Sequence, residues 1–142
     1  MKLPAHIFVD TAFFIALLNQ SDNYHQKAIY LYQQLKIQKI SLITSEYILL
    51  EFADGLSRLR YRHLAINFLK AIEKDKDFVI IRTSMKIMQQ ASQLYQERTD
   101  KEWGLTDCTS FVIMKNLDLY ESLTTDQHFR QAGFRALMLE TV

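Results

Sequence analysis

Four carboxylates stand where their side chains could do chemistry: Asp10, Glu51, Asp107 and Asp126. Asp10 is the one charged residue between the apolar runs "HIFV" and "TAFFIALLN". Burying a lone ionised aspartate is costly, so Asp10 either caps the segment that follows or waits for a cation. Asp107 opens the segment "TDCTSFVIMKNL", and Asp126 follows the run "ESLTT". Glu51 lies in "EYILLEFADGLSRL", where helical phase puts it at the border of the apolar arc with Gly55 one turn on. Each has a plain explanation as well: Asp107 and Asp126 occupy first-turn helical positions that favour acids, and Glu51 can point to water. Taken together, however, like charges a few ångströms apart must take up protons or bind a cation. Oxygen ligands without His or Cys suit Mg²⁺ or Mn²⁺. The chemistry such a cluster supports is metal-assisted phosphodiester hydrolysis by water.

These acids meet only if the right elements hold them. "HIFVD", "ISLITS", "DFVIIRT", "ESLTT" and "RALML" read as strands, being short, apolar and rich in β-branched residues. Between them lie helical segments: "TAFFIALLN", about Tyr24 to Lys36 with Ser21, Asp22 and Asn23 as cap candidates, and "EYILLEFADGLSRL" with Ile48, Phe52, Leu56 and Leu59 on one face. "HLAINFLKAIEK", "SMKIMQQASQLYQER" capped by Ser84, "TDCTSFVIMKNL" and the short "DQHFRQAG" ended by Gly133 complete the set. Strands alternating with helices imply a parallel sheet covered on both faces. Sites in such folds form beyond the carboxyl ends of the strands, and Asp10 and Asp126 each follow a strand. If those two strands are neighbours, the acids share one edge.

Composition sets the frame. A length of 142 residues with 49% hydrophobic and 23% charged residues is ordinary for one globular domain, so 1–142 reads as a single unit. The lone Cys108 has no disulfide partner and reads as a small core hydrophobe. Pro4, His6 and Asp10 interrupt the apolar amino-terminal stretch, and Ala12 to Leu18 is far too short to span a bilayer; the reading is a cytoplasmic protein with no membrane segment. A net charge of +1 gives no global field for nucleic acid, so any such binding must use local patches.

The segments "VDTAFFIALLN", "SEYILLEFADGL", "LTDCTSFVIMK" and "SLTTDQHFRQAGF", in this order, resemble the PIN-domain nucleases, and especially the single-domain VapC-type ribonuclease toxins. The resemblance covers nearly the whole chain. It implies a three-layer α/β/α sandwich with a central parallel sheet, a Mg²⁺ or Mn²⁺ site and cleavage of single-stranded RNA. It also implies a small antitoxin protein as partner and a homodimer, for which surplus apolar and aromatic residues on the early helices leave room. Carried over position by position, the catalytic and metal-binding acids fall on Asp10, Glu51, Asp107 and Asp126. Thr11 falls on the hydroxyl position beside the first acid and Thr125 on the small polar position before the last, both orienting carboxylates. Some members of the family act on one structured RNA, and the near-neutral charge agrees better with that than with bulk degradation.

Other residues have two readings each. Arg58, Arg60 and Arg62 around Tyr61 either hold substrate phosphates or form a solvated junction between helices. Trp103 either stacks on a base or anchors its loop to the core. His128 either touches a phosphate or lies on a helix surface. Two other functions compete with the nuclease. A receiver-like phosphoacceptor domain also gathers acids and Mg²⁺ at a sheet edge, but the adjacent acids and the Lys-Pro pair of such domains are missing here. A non-catalytic binding module would not need all four acids.

Overall fold

The computed structural model describes residues 2–141. Its five strands are β1 (His6–Val9), β2 (Ser41–Ser45), β3 (Phe78–Ile81), β4 (Glu121–Leu123) and β5 (Arg135–Ala136), all parallel in the order β3-β2-β1-β4-β5. Central β1 is read from both sides: Phe8 pairs with Ile43 on β2 and with Ser122 on β4. A strand flanked on both sides and covered on both faces must be apolar throughout, and Ile7, Phe8 and Val9 are fully buried.

Parallel neighbours cannot be joined by tight turns, so helices make the crossovers. They are α1 (Thr11–Leu18), α2 (His25–Ile37), α3 (Glu46–Gly55), α4 (Leu59–Lys74), α5 (Met85–Glu97), α6 (Leu105–Asn116) and α7 (Gln127–Gln131), which complete a three-layer α/β/α arrangement. The chain steps outward from β1 to β2 to β3, then returns through α5 and α6 to lay β4 on the far side of β1. That reversal sits between β1 and β4, the place where open α/β sheets bind ligands. Receiver domains place their strands as 2-1-3-4-5, so the receiver-like reading does not match this sheet.

Two aromatic clusters root the helices. Phe14 of α1, Phe52 of α3, Phe68 of α4 and Phe78 of β3 pack with ring centroids 4.5 to 6.1 Å apart. Phe111 of α6 meets Phe129 of α7 edge-on at 5.0 Å, with Trp103, Phe134 and Phe8 around them. Each fully buried phenylalanine stabilises the fold by roughly 1.5 to 3 kcal/mol.

Several boundaries differ from the sequence reading. "EYILLEFADGLSRL" is not one helix, because α3 stops at Gly55. The Ser57 hydroxyl then donates to the carbonyls of Ala53 and Asp54, closing the helix end before α4 begins. Ile48 and Phe52 are buried and Leu56 partly so, while the Leu59 side chain lies outside the described residues. Of "RALML", two residues pair in the sheet and Leu137–Leu139 wind into a 3₁₀ turn. None of Ser21, Asp22 and Asn23 is the cap residue of α2; that position is Tyr24, whose N–H donates to Asp22 Oδ1 at 2.8 Å. Ser84 caps α5 as expected, accepting from Ile87 N–H.

Candidate active site

Asp10 lies at the end of β1, 7% exposed, with its backbone N–H donated to Leu123 on β4. It occupies the residue before α1 in extended geometry but makes no side-chain capping bond. Instead, Oδ2 accepts a 2.7 Å hydrogen bond from the Thr124 hydroxyl. Burial pushes its pKa up to about 7 against the stabilising bonds from Thr124 and the Thr11 backbone, and the charges of Glu51 and Asp107 raise it further. The carboxylate is thus costly to ionise where it lies, and it makes no capping bond within the first turn of α1 that would account for it.

The other three acids follow in a chain. Thr11, the first residue of α1, donates its hydroxyl to Glu51 Oε1 of α3 at 2.6 Å. Ser45 caps α3 by accepting from Ile48 N–H, which fixes where that helix starts and so where Glu51 falls. Asp107 sits in the first turn of α6, where Oδ2 accepts the Gly104 N–H at 3.1 Å. Desolvation holds its pKa above the ordinary value, partly opposed by bonds from His128 and Gly104, and the Asp126 charge adds to the rise. Asp126 caps α7, taking His128 N–H on Oδ1 at 2.8 Å, while its own N–H donates to Thr124 Oγ1 at 3.0 Å. Glu51 and Asp107 both act on Asp10, and Asp126 acts on Asp107, so the structure brings all four acids to the β1–β4 switch point.

Other expected residues fall differently. The hydroxyl that bridges two acids belongs to Thr124, fully buried, and not to Thr125, which lines a shallow surface hollow with Ala12, Ile15 and Tyr24. The signal was present: a threonine two residues before an acid can accept that acid's backbone N–H. His128 is not a free helix-surface residue, since Nδ1 lies 3.0 Å from Asp107 Oδ2 and 3.3 Å from Asp126 Oδ1. Trp103 is 6% exposed, donates Nε1–H to Gln131, and carries the Arg98 guanidinium 4.8 Å above its ring. It anchors its loop and has no free face for a base. Arg58, Arg60 and Arg62 stay exposed at the α3–α4 junction and form no salt bridge with the acids among the described residues. Arg60 lies 4.6 Å over the Tyr61 ring, and Arg62 donates to the Ser57 carbonyl. Cys108 is buried, as its core reading required.

Does this set of residues fit a cation? Among the described residues no lysine or arginine pairs with any of the four acids; the salt bridges to them come from His128 alone. Compensation must therefore come from protons or from an added cation, and carboxylate oxygens are ligands for hard divalent ions. The residues fit a divalent metal. One oxygen each of Asp107 and Asp126 and one ring nitrogen of His128 lie within 4.8 Å of one another.

The family model described as the PIN domain matches residues 7–135. The chain belongs to the PIN-domain family. Among curated PIN relatives, the "23S rRNA-specific endonuclease VapC20" of Mycobacterium tuberculosis is 30% identical over 129 residues, covering 90% of this chain and 95% of that protein, in two strains. The crystal structure of M. tuberculosis VapC20, described as a sarcin-ricin loop cleaving toxin, superposes with a TM-score of 0.78 at 27% identity, over 91% of this chain and 96% of that one. The crystal structure of FitAcB from Neisseria gonorrhoeae has a similar fold, with a TM-score of 0.67 at 17% identity over 92% and 94% of the two chains.

Proposed function

We propose that this protein is a divalent-metal-dependent endoribonuclease and the toxin of a toxin–antitoxin pair. The observation that carries the proposal is the convergence of Asp10, Glu51, Asp107 and Asp126 on the β1–β4 crevice, with Asp10 buried and uncompensated. Mg²⁺ or Mn²⁺ held by these acids supplies an offset for phosphate charge and makes water a better nucleophile near neutral pH. The protein's own part is positioning. The Thr11 hydroxyl orients Glu51, the Thr124 hydroxyl orients Asp10, and the Gly104 N–H fixes Asp107. The exposed Arg58, Arg60 and Arg62 at the α3–α4 junction supply phosphate contacts.

The similarity to VapC20, named for cleavage of 23S rRNA, makes a structured ribosomal stem-loop the first substrate to test. An apolar cleft of about 320 Å³ between α1, α3 and α4, lined by Ile15, Leu18, Phe52, Leu56, Tyr61 and Leu64, gives an antitoxin helix a place to dock. Purified protein incubated with a sarcin-ricin-type stem-loop and with an unstructured RNA is expected to cut the stem-loop when Mg²⁺ or Mn²⁺ is present and not in EDTA. Asp10→Asn and Asp107→Asn should abolish the cut. Unchanged cleavage in EDTA would remove the metal mechanism.

A further inference from the structure

We propose that His128 is itself a metal ligand, forming with Asp107 and Asp126 a cation position whose imidazole nitrogen favours Mn²⁺ over Mg²⁺. This rests on the metal-dependent reading above and names a residue outside its four acids. The argument begins with spacing. His128 Nδ1 lies 3.0 Å from Asp107 Oδ2 and 3.3 Å from Asp126 Oδ1. Two carboxylate oxygens and an aromatic nitrogen hold such distances only with a hydrogen or a cation between them, here either an Nδ1–H donated to the carboxylates or a metal ion. An octahedral ion with ligands roughly 2.1 Å away spaces its neighbouring donors at about 3 Å, so the same geometry suits either occupant.

The elements also aim the ring there. Asp126 caps α7 and accepts the His128 N–H, so the first turn of α7 brings the imidazole back over its own cap and toward the start of α6. Phe129, the next residue, is fully buried against Phe111 of α6, which fixes the facing of that turn. The ring is 29% exposed, open enough for ion exchange. Among the described residues the close group is Asp107, Asp126 and His128, while Asp10 and Glu51 beside it accept hydroxyl bonds from Thr124 and Thr11. Imidazole is a better ligand for Mn²⁺ and later transition metals than for Mg²⁺, which holds to oxygen and water. A nitrogen in the set therefore biases the choice of ion.

Pulsed electron paramagnetic resonance of the full-length protein loaded with Mn²⁺ tests this without reference to cleavage. Echo modulation from a coordinated ¹⁴N is expected in the wild type, changing on ¹⁵N-histidine labelling and disappearing in His128→Gln. Calorimetric titration should show Mn²⁺ affinity falling about tenfold or more in His128→Gln while Mg²⁺ affinity falls much less. Bound Mn²⁺ without nitrogen modulation, or equal weakening of both ions, would overturn the proposal and leave the four-acid reading standing. A wild type that binds neither ion would overturn both.

Discussion

At the residue scale, Asp10 ties stability to pH. Its folded pKa of about 7 stands above the ordinary 3.8, so between those values the native state holds a proton that the unfolded chain releases. Stability is therefore greatest below about pH 4 for this group and is lost as pH rises through 7. Asp10→Asn removes that loss. In EDTA at pH 8 the variant should melt higher than wild type, by an amount worth about 4 kcal/mol, and the gap should narrow as pH falls and close near pH 4. Divalent metal should raise the wild-type melting temperature and the variant's much less, an effect that weakens as pH falls and Asp10 protonates. Thermal scans at two pH values with and without metal check both statements. A second contrast concerns adjacent hydroxyls. Thr124→Val strips Asp10 and the Asp126 backbone of their shared partner and should cut cleavage at least tenfold, whereas Thr125→Val should leave it within about twofold. Asp10, Asp107 and Asp126 were legible because each stood at a strand or helix end, and Glu51 because helical phase put it at the border of an apolar arc. The Nδ1 contacts of His128 were not, since they depend on which way its ring turns from the first turn of a short helix, and Thr124 was passed over although its place two residues before Asp126 allowed the bond.

At the element scale, two helix caps make the same bond with different consequences. Ser45 and Ser84 each accept the N–H three residues on, at the starts of α3 and α5. Ser45→Ala and Ser84→Ala should each cost about 1 kcal/mol, read as a lower denaturation midpoint. Of the two helices only α3 carries one of the four site acids, so cleavage should fall with Ser45→Ala and hold with Ser84→Ala. Phe52→Ala should cost roughly 3 to 5 kcal/mol, because Phe52 lies one residue from Glu51 and joins the cluster that seats α1, α3 and α4. The strands and most helices could be read from periodicity because the sheet buries short apolar runs whole. The α3–α4 break escaped that reading, since the apolar phase of Ile48, Phe52 and Leu56 continues up to it and only Ser57 turns its hydroxyl back on the helix. The end of "RALML" escaped for a related reason: burial asks that Leu137 and Met138 be apolar, not that they be extended.

At the scale of the whole molecule, a net charge of +1 leaves association to local surfaces, and the exposed apolar side chains Ile37, Leu50, Val79 and Met85 are available for it. Light scattering at micromolar concentration is expected to give twice the chain mass; a single-chain mass throughout the accessible range would refute a dimer. Expression alone should arrest bacterial growth, and Asp107→Asn should relieve the arrest, with equal growth of the two strains counting against a toxin. Trp103 offers a way to follow such events in solution. It is the chain's single tryptophan, shut between Phe111 and Arg98 and hydrogen-bonded to Gln131 at the base of the loop that leads to Asp107. The protein thus carries one intrinsic fluorophore four residues from an acid of the site. Its emission should be blue-shifted in the folded state, and any loosening of that loop, by acid, by chelation or by a competing partner, becomes a red shift in a spectrum with no other indole to obscure it.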